Sequence, residues 1–489
     1  MTIQEWAAPI VEELFDGIDS GVFSDSSRIP DKYTYKHLIA LFYLADYVEG
    51  GKSLYREIFN FSINYGRHKL KEKLSKGEKI RIVFMAISAA EWPAQKLFEK
   101  LAKLDWVEIS VLVCPLQNRS KENMEYTYEA TCRFFDKYGY QVKKAYDNEN
   151  KRVITWEENG GIPDIIVHLS SWYNAVPKEY WLDNIPLCCL NCYIPYGIFV
   201  VDSQDGNYLK HFVYNKEFMN LMWKIYTDSE QSLRGFQQYQ LLKGENVRYF
   251  GYSKMDYFYQ LPFVEEEEVR QIWKISKEID CRQVKKVIIA PHHSIKKSAG
   301  LLFATFAQNM YFWIYLVKKY EGKIHFVYKP HPNLRARAVE AGLFENEKEY
   351  DNYIDLWNSL PNAKVVEEDD YLDIFATSDG MIMDSCSFIA EYTYTQKPML
   401  FLTRNGQAFS PLGLRILEGY YQVPGNAYWE IEKYLQEVVL EGKDKLAPIR
   451  QKIWSEEMDY LRIYGQLAND SIYEDILDDI FAEENNGIN

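Results

Sequence analysis

The sequence predicts an α/β protein in which two arrays of alternating strands and helices follow one another. Short apolar, β-branched runs alternate with helical stretches from Lys79 onwards. Such alternation is typical of a parallel sheet covered by helices on both faces. A second alternation of the same kind begins at Lys286, and helical patterns without strands occupy both ends of the chain. We therefore expect two similar α/β domains, with helical regions before and after them.

The first array is expected to follow an amino-terminal helical region that ends near residue 76. Residues 79–87 and 107–113 are apolar and β-branched, and the helical stretch between them opens with Pro93. A proline is well tolerated in the first turn of a helix, so this segment predicts a β-α-β unit. Beyond it we predict helices at 122–138 and 216–226 and strands at 164–169 and 187–193.

The second array is expected to follow an acidic connection at 265–285, which shows little apolar alternation. We predict strands at 286–290, 324–328, 364–366, 381–384 and 399–402, with a long helix near 300–320. The acidic segment 429–481 is predicted to be helical. The expected parts are a helical region at 1–76, an acceptor domain at 77–264, a nucleotide-donor domain at 265–428, and a tail at 429–489 that packs back on the first domain.

The composition is that of a soluble globular protein, with 489 residues, 47% hydrophobic and 26% charged. A net charge of −15 repels nucleic acid and anionic bilayers, so a phosphate-bearing ligand requires a local site. Seven cysteines are too few for a disulfide scaffold, and the first 15 residues lack the pattern of a secretory signal. These features favour a reduced, cytoplasmic protein that binds no nucleic acid and contacts membranes at most peripherally.

Motifs of several common enzyme classes are absent. The chain has no Walker loop, no G-x-G-x-x-G, no H-E-x-x-H, no G-x-S-x-G and no Asp-x-Asp pair. Nothing in the sequence requires a metal or a cofactor. Cys189 and Cys192 have a spacing that could hold zinc, but they lie in an apolar strand without a second pair, which favours buried structural thiols.

The segment F-V-Y-K-P-H-P-N at 326–333 is the most informative. Its strand ends at Lys329 and His331, where open α/β sheets bind ligands, and two prolines fix the backbone around the imidazole. An isolated histidine is more often structural. The neighbouring Lys329, together with Arg335 and Arg337, favours a phosphate site.

A second candidate is the turn D-S-C-S at 384–387, which follows a predicted strand and opens a helix carrying Glu391. Free N–H groups at a helix start attract anions. The alternative is ordinary capping by Asp384 or Ser385, and capping is compatible with anion binding.

Further candidates follow other strands. Pro291, His292 and His293 come directly after the strand at 286–290, and either histidine could face a ligand or simply end the strand. In the first array, the segments 193–197 and 251–256 occupy equivalent positions.

The order of these segments resembles that of the CDP-glycerol glycerophosphotransferase family, the teichoic-acid primases and polymerases. The resemblance covers about residues 190–405. It is carried by A-P at 290–291, K-P-H-P at 329–332, and the S-D-x-x-x-x-D-S-x-S block at 378–387 with K-P at 397–398. It implies a GT-B-like fold, in which two Rossmann-like domains face a cleft.

The resemblance also implies roles for individual residues. His331 matches a family histidine implicated in catalysis and in binding the donor phosphates. Asp384 and Ser387 match a D-Y-S-S turn around the donor diphosphate, with Ser385 in place of Tyr and Cys386 in place of Ser. Gly251 and Asp256 match G-x-P-R-x-D, although Ser253 and Lys254 replace its Pro and Arg.

One departure from the family concerns the catalytic base. The family's H-G-T motif, whose histidine is a proposed general base, is replaced here by Tyr196-Gly197-Ile198. Tyr196 is therefore expected to orient the acceptor, and His292 or His293 becomes the candidate base by elimination. The expected donor-binding residues are Lys329, Arg335, Asp384, Ser385, Ser387, Glu391, Pro291, Gly251 and Asp256.

The implied activity is transfer of a polyol phosphate, with glycerol phosphate favoured, from a CDP-linked donor to a hydroxyl of a cell-surface glycan or lipid-linked precursor. Two alternatives remain open. One is a GT-B glycosyltransferase that uses a nucleotide sugar, since fold does not determine function. The other is an inactive nucleotide-binding scaffold.

Overall fold

The computed structural model describes residues 2–23, 29–117, 121–260, 263–296, 301–367, 371–386 and 388–482, with backbone alone at 121–123. The chain divides into two compact units. Unit 1 comprises Met1–Tyr196, Lys210–Lys254 and Tyr464–Asn489, and unit 2 comprises Gly197–Leu209 and Met255–Ile463. The four-part division expected from the sequence stays a prediction at its finer boundaries.

Unit 1 opens with three helices and continues as a parallel α/β array. The helices of this part are α1 (Ile3–Asp19), α2 (Tyr35–Leu44), α3 (Gly51–Ser75), α4 (Gln95–Leu101), α5 (Lys121–Lys137), α6 (Glu217–Asn220) and α7 (Glu230–Tyr239). The strands are β1 (Ile80–Ala86), β2 (Val107–Val113), β3 (Val142–Lys144), β4 (Tyr146–Asp147), β5 (Arg152–Val153), β6 (Ile165–His168), β7 (Leu190–Tyr193), β8 (Lys224–Thr227) and β9 (Val247–Tyr249). The helical start and the four strands predicted in this part lie within a few residues of the observed bounds, the strands corresponding to β1, β2, β6 and β7; the sequence analysis missed β3, β4, β5, β8 and β9.

The predicted helix at 216–226 is wrong. The segment forms the short helix α6 and then the strand β8, whose four residues are all buried between β7 and β9 in parallel pairing. A short apolar run in a fully buried parallel strand has no alternation, so its periodicity does not distinguish it from a helix.

Unit 2 is a second parallel α/β array. Its strands are β10 (Lys285–Ala290), β11 (Ile324–Tyr328), β12 (Ala363–Val365), β13 (Gly380–Met383), β14 (Met399–Thr403) and β15 (Tyr421–Pro424). Its helices are α8 (Asp256–Tyr259), α9 (Glu266–Trp273), α10 (Phe306–Lys319), α11 (Leu334–Glu340), α12 (Glu347–Ser359), α13 (Leu372–Thr377), α14 (Phe388–Thr393), α15 (Pro411–Leu417), α16 (Tyr428–Lys433), α17 (Ala447–Glu457) and α18 (Tyr460–Tyr464). The segment at 265–285, expected to be a plain connection, contains α9, which buries Val269 and Trp273 four residues apart.

Both sheets are doubly wound. The strand order is β3-β2-β1-β6-β7-β8-β9 in unit 1 and β12-β11-β10-β13-β14-β15 in unit 2, and every pair in these two sheets is parallel. The order therefore reverses beside β1 in unit 1 and beside β10 in unit 2. Ligands of such sheets bind beyond the carboxyl ends of the strands at this reversal.

The helical tail divides between the units. Helices α16–α18 belong to unit 2, whereas α19 (Ala468–Phe481) belongs to unit 1. The Asn469 side chain accepts a hydrogen bond from the Leu97 N–H at 3.2 Å, and Lys224 donates to Asp475 at 2.5 Å. These polar contacts hold α19 on the α/β array of unit 1.

The long uncharged stretch near 300–320 forms an ordinary helix of a globular core. Helix α10 buries Phe306, Met310, Trp313 and Val317 against the sheet of unit 2. None of the described helices has both the length and the apolar character needed to cross a bilayer.

Candidate functional site

The candidate site lies in unit 2 at the point where the strand order reverses. Ala290 at the end of β10 pairs with Met383 at the end of β13, and Ile289 pairs with Tyr328 at the end of β11. The three segments that follow these strands therefore leave the sheet side by side. They carry the histidine pair at 292–293, the K-P-H-P segment and the turn at 384–386.

Three histidines from two of these segments form one cluster. The ring centroid of His293 lies 4.2 Å from that of His292 and 4.1 Å from that of His331. The centroids of His292 and His331 are 5.3 Å apart. A ring nitrogen of each residue lies within 4.8 Å of one from each of the others. The backbone N–H of His331 donates to the Pro291 carbonyl at 3.1 Å, which joins the two segments directly.

Hydrogen bonds assign the proton positions on two of the rings. The Nδ1 atom of His331 accepts the backbone N–H of Asn333 at 3.1 Å, and the Nδ1 atom of His292 accepts that of Ser294 at 3.2 Å. A nitrogen that accepts a hydrogen bond carries no proton, so each neutral ring carries its proton on Nε2. Each ring therefore carries its N–H on Nε2, and that of His292 lies 3.6 Å from the Cys386 sulfur.

The environment keeps two of the histidines neutral. Burial, with a smaller effect from His293, holds the pKa of His292 well below its ordinary value. Burial and the nearby Arg337 guanidinium lower the pKa of His293 to about 4. At neutral pH both rings are therefore uncharged.

The cluster fits an anion better than a metal ion. A histidine that binds a metal through Nε2 keeps its proton on Nδ1 and donates it to a carbonyl or carboxylate. In His292 and His331, Nδ1 instead accepts a backbone N–H. The donor set of these two rings is therefore suited to phosphate oxygens.

The Asp384 carboxylate connects the turn after β13 to its neighbours. One oxygen accepts the backbone N–H of His292 at 2.6 Å, and the other accepts the Thr305 hydroxyl at 2.7 Å and the Thr305 N–H. Burial raises the pKa of Asp384 to about 6, and these three donors oppose that rise. Both oxygens thus bind the protein itself, so Asp384 positions the histidine segment and the start of α10.

Lys329 is buried, with 8% of its surface exposed. Its Nζ is 5.9 Å from the centre of the Tyr371 ring, and the Tyr371 hydroxyl donates to the buried Glu391 carboxylate at 2.6 Å. Lys329 and Glu391, both expected at the donor site, are therefore linked through one tyrosine.

The two arginines after the K-P-H-P segment differ. Arg335 donates to both oxygens of Asp351 at 2.8 and 2.9 Å and also pairs with Glu347. Arg337 pairs with Glu340 at 2.6 Å and is close enough to His293 to lower its pKa. Arg337 thus adds positive charge beside the histidine cluster, whereas Arg335 forms ion pairs with Asp351 and Glu347 of α12.

The remaining expected residues are placed as follows. Ser385 is buried in the turn after Asp384, and Ser387 lies outside the described residues. Gly251 has a φ of 109° after β9 in unit 1, a backbone conformation that suits glycine. Asp256 belongs to unit 2, where it is buried and accepts the Tyr460 hydroxyl at 2.6 Å. Tyr196 is half-buried in unit 1 after β7, and its carbonyl accepts the Tyr252 hydroxyl.

Two positioning residues were missed from the sequence. The Ser294 hydroxyl lies 2.7 Å from His292 Nδ1 and accepts the Phe303 N–H at 2.8 Å. Thr305 binds Asp384 through both its backbone and its side chain. Ser294 directly follows the histidine pair and could have been suspected, but nothing in the sequence links Thr305 to a residue 79 positions away.

No protein-family model matches the chain, and no curated protein matches it in sequence. Solved structures do match. The wall teichoic acid polymerase TagF aligns with a TM-score of 0.50 at 13% identity, over 86% of this chain and 93% of its own. A UDP-GlcNAc 2-epimerase from Neisseria meningitidis, bound to UDP-GlcNAc, aligns with a TM-score of 0.47 at 15% identity, over 82% and 99%.

These likenesses concern the fold. The two parallel, doubly wound sheets and the match to TagF confirm the predicted GT-B-like α/β class and, at the level of fold, the resemblance to teichoic-acid polymerases. At such identities the activity has to be argued from the site.

Proposed function

We propose that this chain is a GT-B transferase that moves a polyol phosphate from a CDP-linked donor to a hydroxyl of a cell-surface glycan or teichoic-acid-like precursor, releasing CMP. Glycerol phosphate is the favoured group. The observation that carries the proposal is the cluster of His292, His293 and His331 at the strand-order reversal of unit 2, with N–H donors on two rings. The K-P-H-P and D-S-C-S motifs that build this region are the ones that resemble the glycerophosphotransferases.

In the proposed reaction, an acceptor oxygen attacks the β-phosphorus of the donor and CMP leaves. Negative charge develops on the phosphate oxygens, and prepositioned donors that meet it there lower the barrier. His331, held by the Asn333 N–H and by two prolines, and the largely buried Lys329 are the groups assigned to this task.

His293 is the better of the two candidates for the general base. The Nδ1 atom of His292 is already engaged by Ser294, whereas Nδ1 of His293 is buried and has no hydrogen-bond partner among the described residues. Its pKa of about 4 keeps the ring unprotonated at neutral pH but also makes it a weak base. We therefore assign it an assisting role in removing the acceptor proton.

Tyr196 is assigned to orienting the acceptor. A tyrosine has an ordinary pKa of about 10 and is a poor base near neutral pH. Its presence where the family has histidine also favours a second candidate function, either transfer of a sugar from a nucleotide sugar or nucleotide binding without catalysis.

Thermal-shift measurements against CDP-glycerol, CDP-ribitol, UDP-sugars and GDP-sugars separate these functions. A ligand at one hundred times its Kd stabilises the folded state by about 2.7 kcal/mol, so the correct donor raises the melting temperature. Stabilisation by CDP-glycerol together with CMP release supports the proposal. Stabilisation by a UDP- or GDP-sugar alone favours the glycosyltransferase, and binding without release of CMP favours the scaffold.

The proposed place of action is the cytoplasm, at the inner face of the cell membrane, with a glycan or lipid-linked acceptor as partner. Because the net charge is −15, contact with the membrane would involve a small patch or another protein. Tight binding of the isolated protein to anionic liposomes at physiological salt would contradict this proposal.

A further inference from the structure

An exposed indole lies at the carboxyl edge of the unit 1 sheet. Trp172 has 42% of its surface exposed and belongs to the loop after β6, the strand next to β1 where the strand order reverses. This is the edge at which doubly wound sheets bind ligands. Because single exposed apolar residues are common, the groups around Trp172 decide whether it belongs to a site.

A lysine of unit 1 lies against this indole. The Nζ atom of Lys216 is 4.7 Å from the centre of the Trp172 ring and 5.8 Å from that of the Tyr173 ring, and it donates to the Ser171 carbonyl at 2.7 Å. The protein itself thus supplies the cation that these two rings attract, so a cationic ligand would be repelled. The exposed part of the indole remains available to an uncharged group.

Two phenols and two carboxylates lie next to these rings. The Tyr173 hydroxyl donates to Glu217 at 3.4 Å. Burial and the carboxylates of Glu217 and Asp183 raise the pKa of Tyr43, on α2, to about 12 and also raise that of Tyr173. Both phenols therefore keep their protons at neutral pH. A carboxylate accepts at up to about four positions, so acceptor capacity remains for the hydroxyl groups of a ligand.

The charges of this cluster disfavour a phosphate. The carboxylates of Glu217 and Asp183 repel an anion, whereas Lys216 already donates to a backbone carbonyl, and Lys36 acts on Asp183 by opposing the rise of its pKa that burial causes. An open aromatic surface bordered by hydroxyl donors and acceptors suits a ring with apolar C–H faces and a hydroxylated rim. An uncharged pyranose has this chemistry.

We propose that Trp172, Tyr173, Tyr43 and Glu217 form a subsite of unit 1 for an uncharged saccharide, whose pyranose face packs on the indole while its hydroxyl groups bind the carboxylate and the phenols. The amino-terminal helices thereby gain a role in binding, because α2 supplies Tyr43. Naming this saccharide as part of the acceptor rests on the proposed function, whereas its binding to unit 1 does not.

Saturation-transfer NMR on the intact chain tests the subsite. The probes are the methyl glycosides of glucose, galactose, mannose and N-acetylglucosamine, and at least one should receive saturation at its ring protons. Trp172→Ala should weaken that binding by about tenfold, the worth of one good aromatic contact. Trp429→Ala, which removes an indole of unit 2 that is 74% exposed, is the matched control and should bind as the wild type does. Absence of binding by every probe, or binding that Trp172→Ala leaves unchanged, would overturn the proposal.

The polar half of the subsite is tested by charge. Glu217→Gln should also weaken saccharide binding by about tenfold, because a charge-assisted hydrogen bond becomes a neutral one. Glu12→Gln, on the exposed face of α1, should have no effect. Circular dichroism checks that the variants are folded. Glycerol 3-phosphate should not displace the bound saccharide, and displacement would show that the subsite accepts an anion and overturn the proposal.

Two further measurements separate this inference from the proposed function. CDP-glycerol should raise the melting temperature of Trp172→Ala as much as that of the wild type, and the KM for a saccharide acceptor should rise about tenfold with little change in kcat. Saccharide binding that depends on Trp172, without CMP release in the presence of donor and acceptor, would leave the subsite intact and refute the transferase. CMP release with an unchanged acceptor KM in Trp172→Ala would support the transferase and overturn the assignment of this saccharide to the acceptor.

Discussion

The two sheets carry different side chains at their carboxyl ends, although both are doubly wound with the same reversal of strand order. In unit 2 this edge carries the N–H groups of His292 and His331, with Arg337 close to the cluster. In unit 1 the corresponding edge carries phenols and carboxylates, together with Lys216 and Lys254, which donate to backbone carbonyls of the loops after β6 and β1. Burial, Tyr196 and the carboxylates of Asp228 and Glu91 together raise the pKa of Tyr193 there.

Under the proposed function the two units bind different ligands. A diphosphate is stabilised by N–H donors, which supports the proposal that unit 2 binds the donor. Carboxylates and phenol oxygens accept hydrogen bonds from hydroxyl groups, which supports the proposal that a polyol or glycan acceptor binds at unit 1.

The largest expected effect comes from removing one donor from the edge of unit 2. His331→Ala should lower the rate of CMP release about 10²–10³-fold, which is typical for loss of one preorganised donor to a developing charge. The exposed His211 of unit 1 provides a matched control, and His211→Ala should retain the activity. A folded His331→Ala protein with near wild-type turnover would remove this residue from the mechanism.

Much of unit 2's site could be predicted because its signals are local. The strand Ile324–Tyr328 runs directly into K-P-H-P, and the Pro291–His293 and Asp384–Ser385 segments also follow strands immediately. Parallel pairing then brings such segments together. Position after a strand is therefore the feature of the sequence that carried most information about this site.

The parts that could not be predicted depend on long-range contacts. Asp384 was expected to cap a helix or hold the donor, whereas it binds Thr305 and the His292 backbone across the fold. Arg335 was expected at a phosphate and pairs with Asp351 instead. In each case the partner is distant in sequence, and the propensity of a residue does not reveal which distant group folding places beside it.

The second expected effect concerns the support beneath the histidines. Asp384→Asn replaces an acceptor oxygen by an NH₂ group that faces either the His292 N–H or Thr305. We expect unfolding free energy to fall by about 4 kcal/mol, since a buried donor loses a charged acceptor. Denaturant titration measures this change, and Asp355→Asn on the exposed face of α12 should leave stability nearly unchanged. A loss below about 1 kcal/mol would contradict the anchoring role.

A third, smaller effect is a pH dependence that is specific to the histidine cluster. His293 has a pKa of about 4 when folded and 6.5 as its ordinary value. The unfolded chain thus binds a proton more readily, so this site's stabilisation is complete above pH 6.5 and decreases as the pH falls towards 4. The groups around the ring are His292, His331 and Arg337, and none of them is an acid.

The variant His293→Gln isolates this contribution. Lowering the pH from about 8 to about 5 should destabilise the wild-type protein by about 2 kcal/mol more than the variant. The raised pKa of Asp384 acts in the opposite direction, because its ionisation between pH 3.8 and about 6 disfavours the fold, but that effect is common to both proteins. Parallel pH profiles for the two proteins would show that His293 is not buried as a neutral ring.

The smallest effect is expected at the edge of unit 1, where Tyr196→Phe removes one hydroxyl. If this tyrosine orients the acceptor and does not take its proton, the change should raise the KM for the acceptor by less than about tenfold, because one neutral hydrogen bond is lost. The kcat and the stabilisation by CDP-glycerol should stay close to wild type, since the donor is assigned to unit 2. A drop in kcat as large as that of His331→Ala would make Tyr196 a catalytic group and remove the distinction between the two edges. Loss of donor binding in this variant would contradict the distinction between the two edges more strongly. The diphosphate would then depend on a residue at the carboxyl edge of the unit 1 sheet.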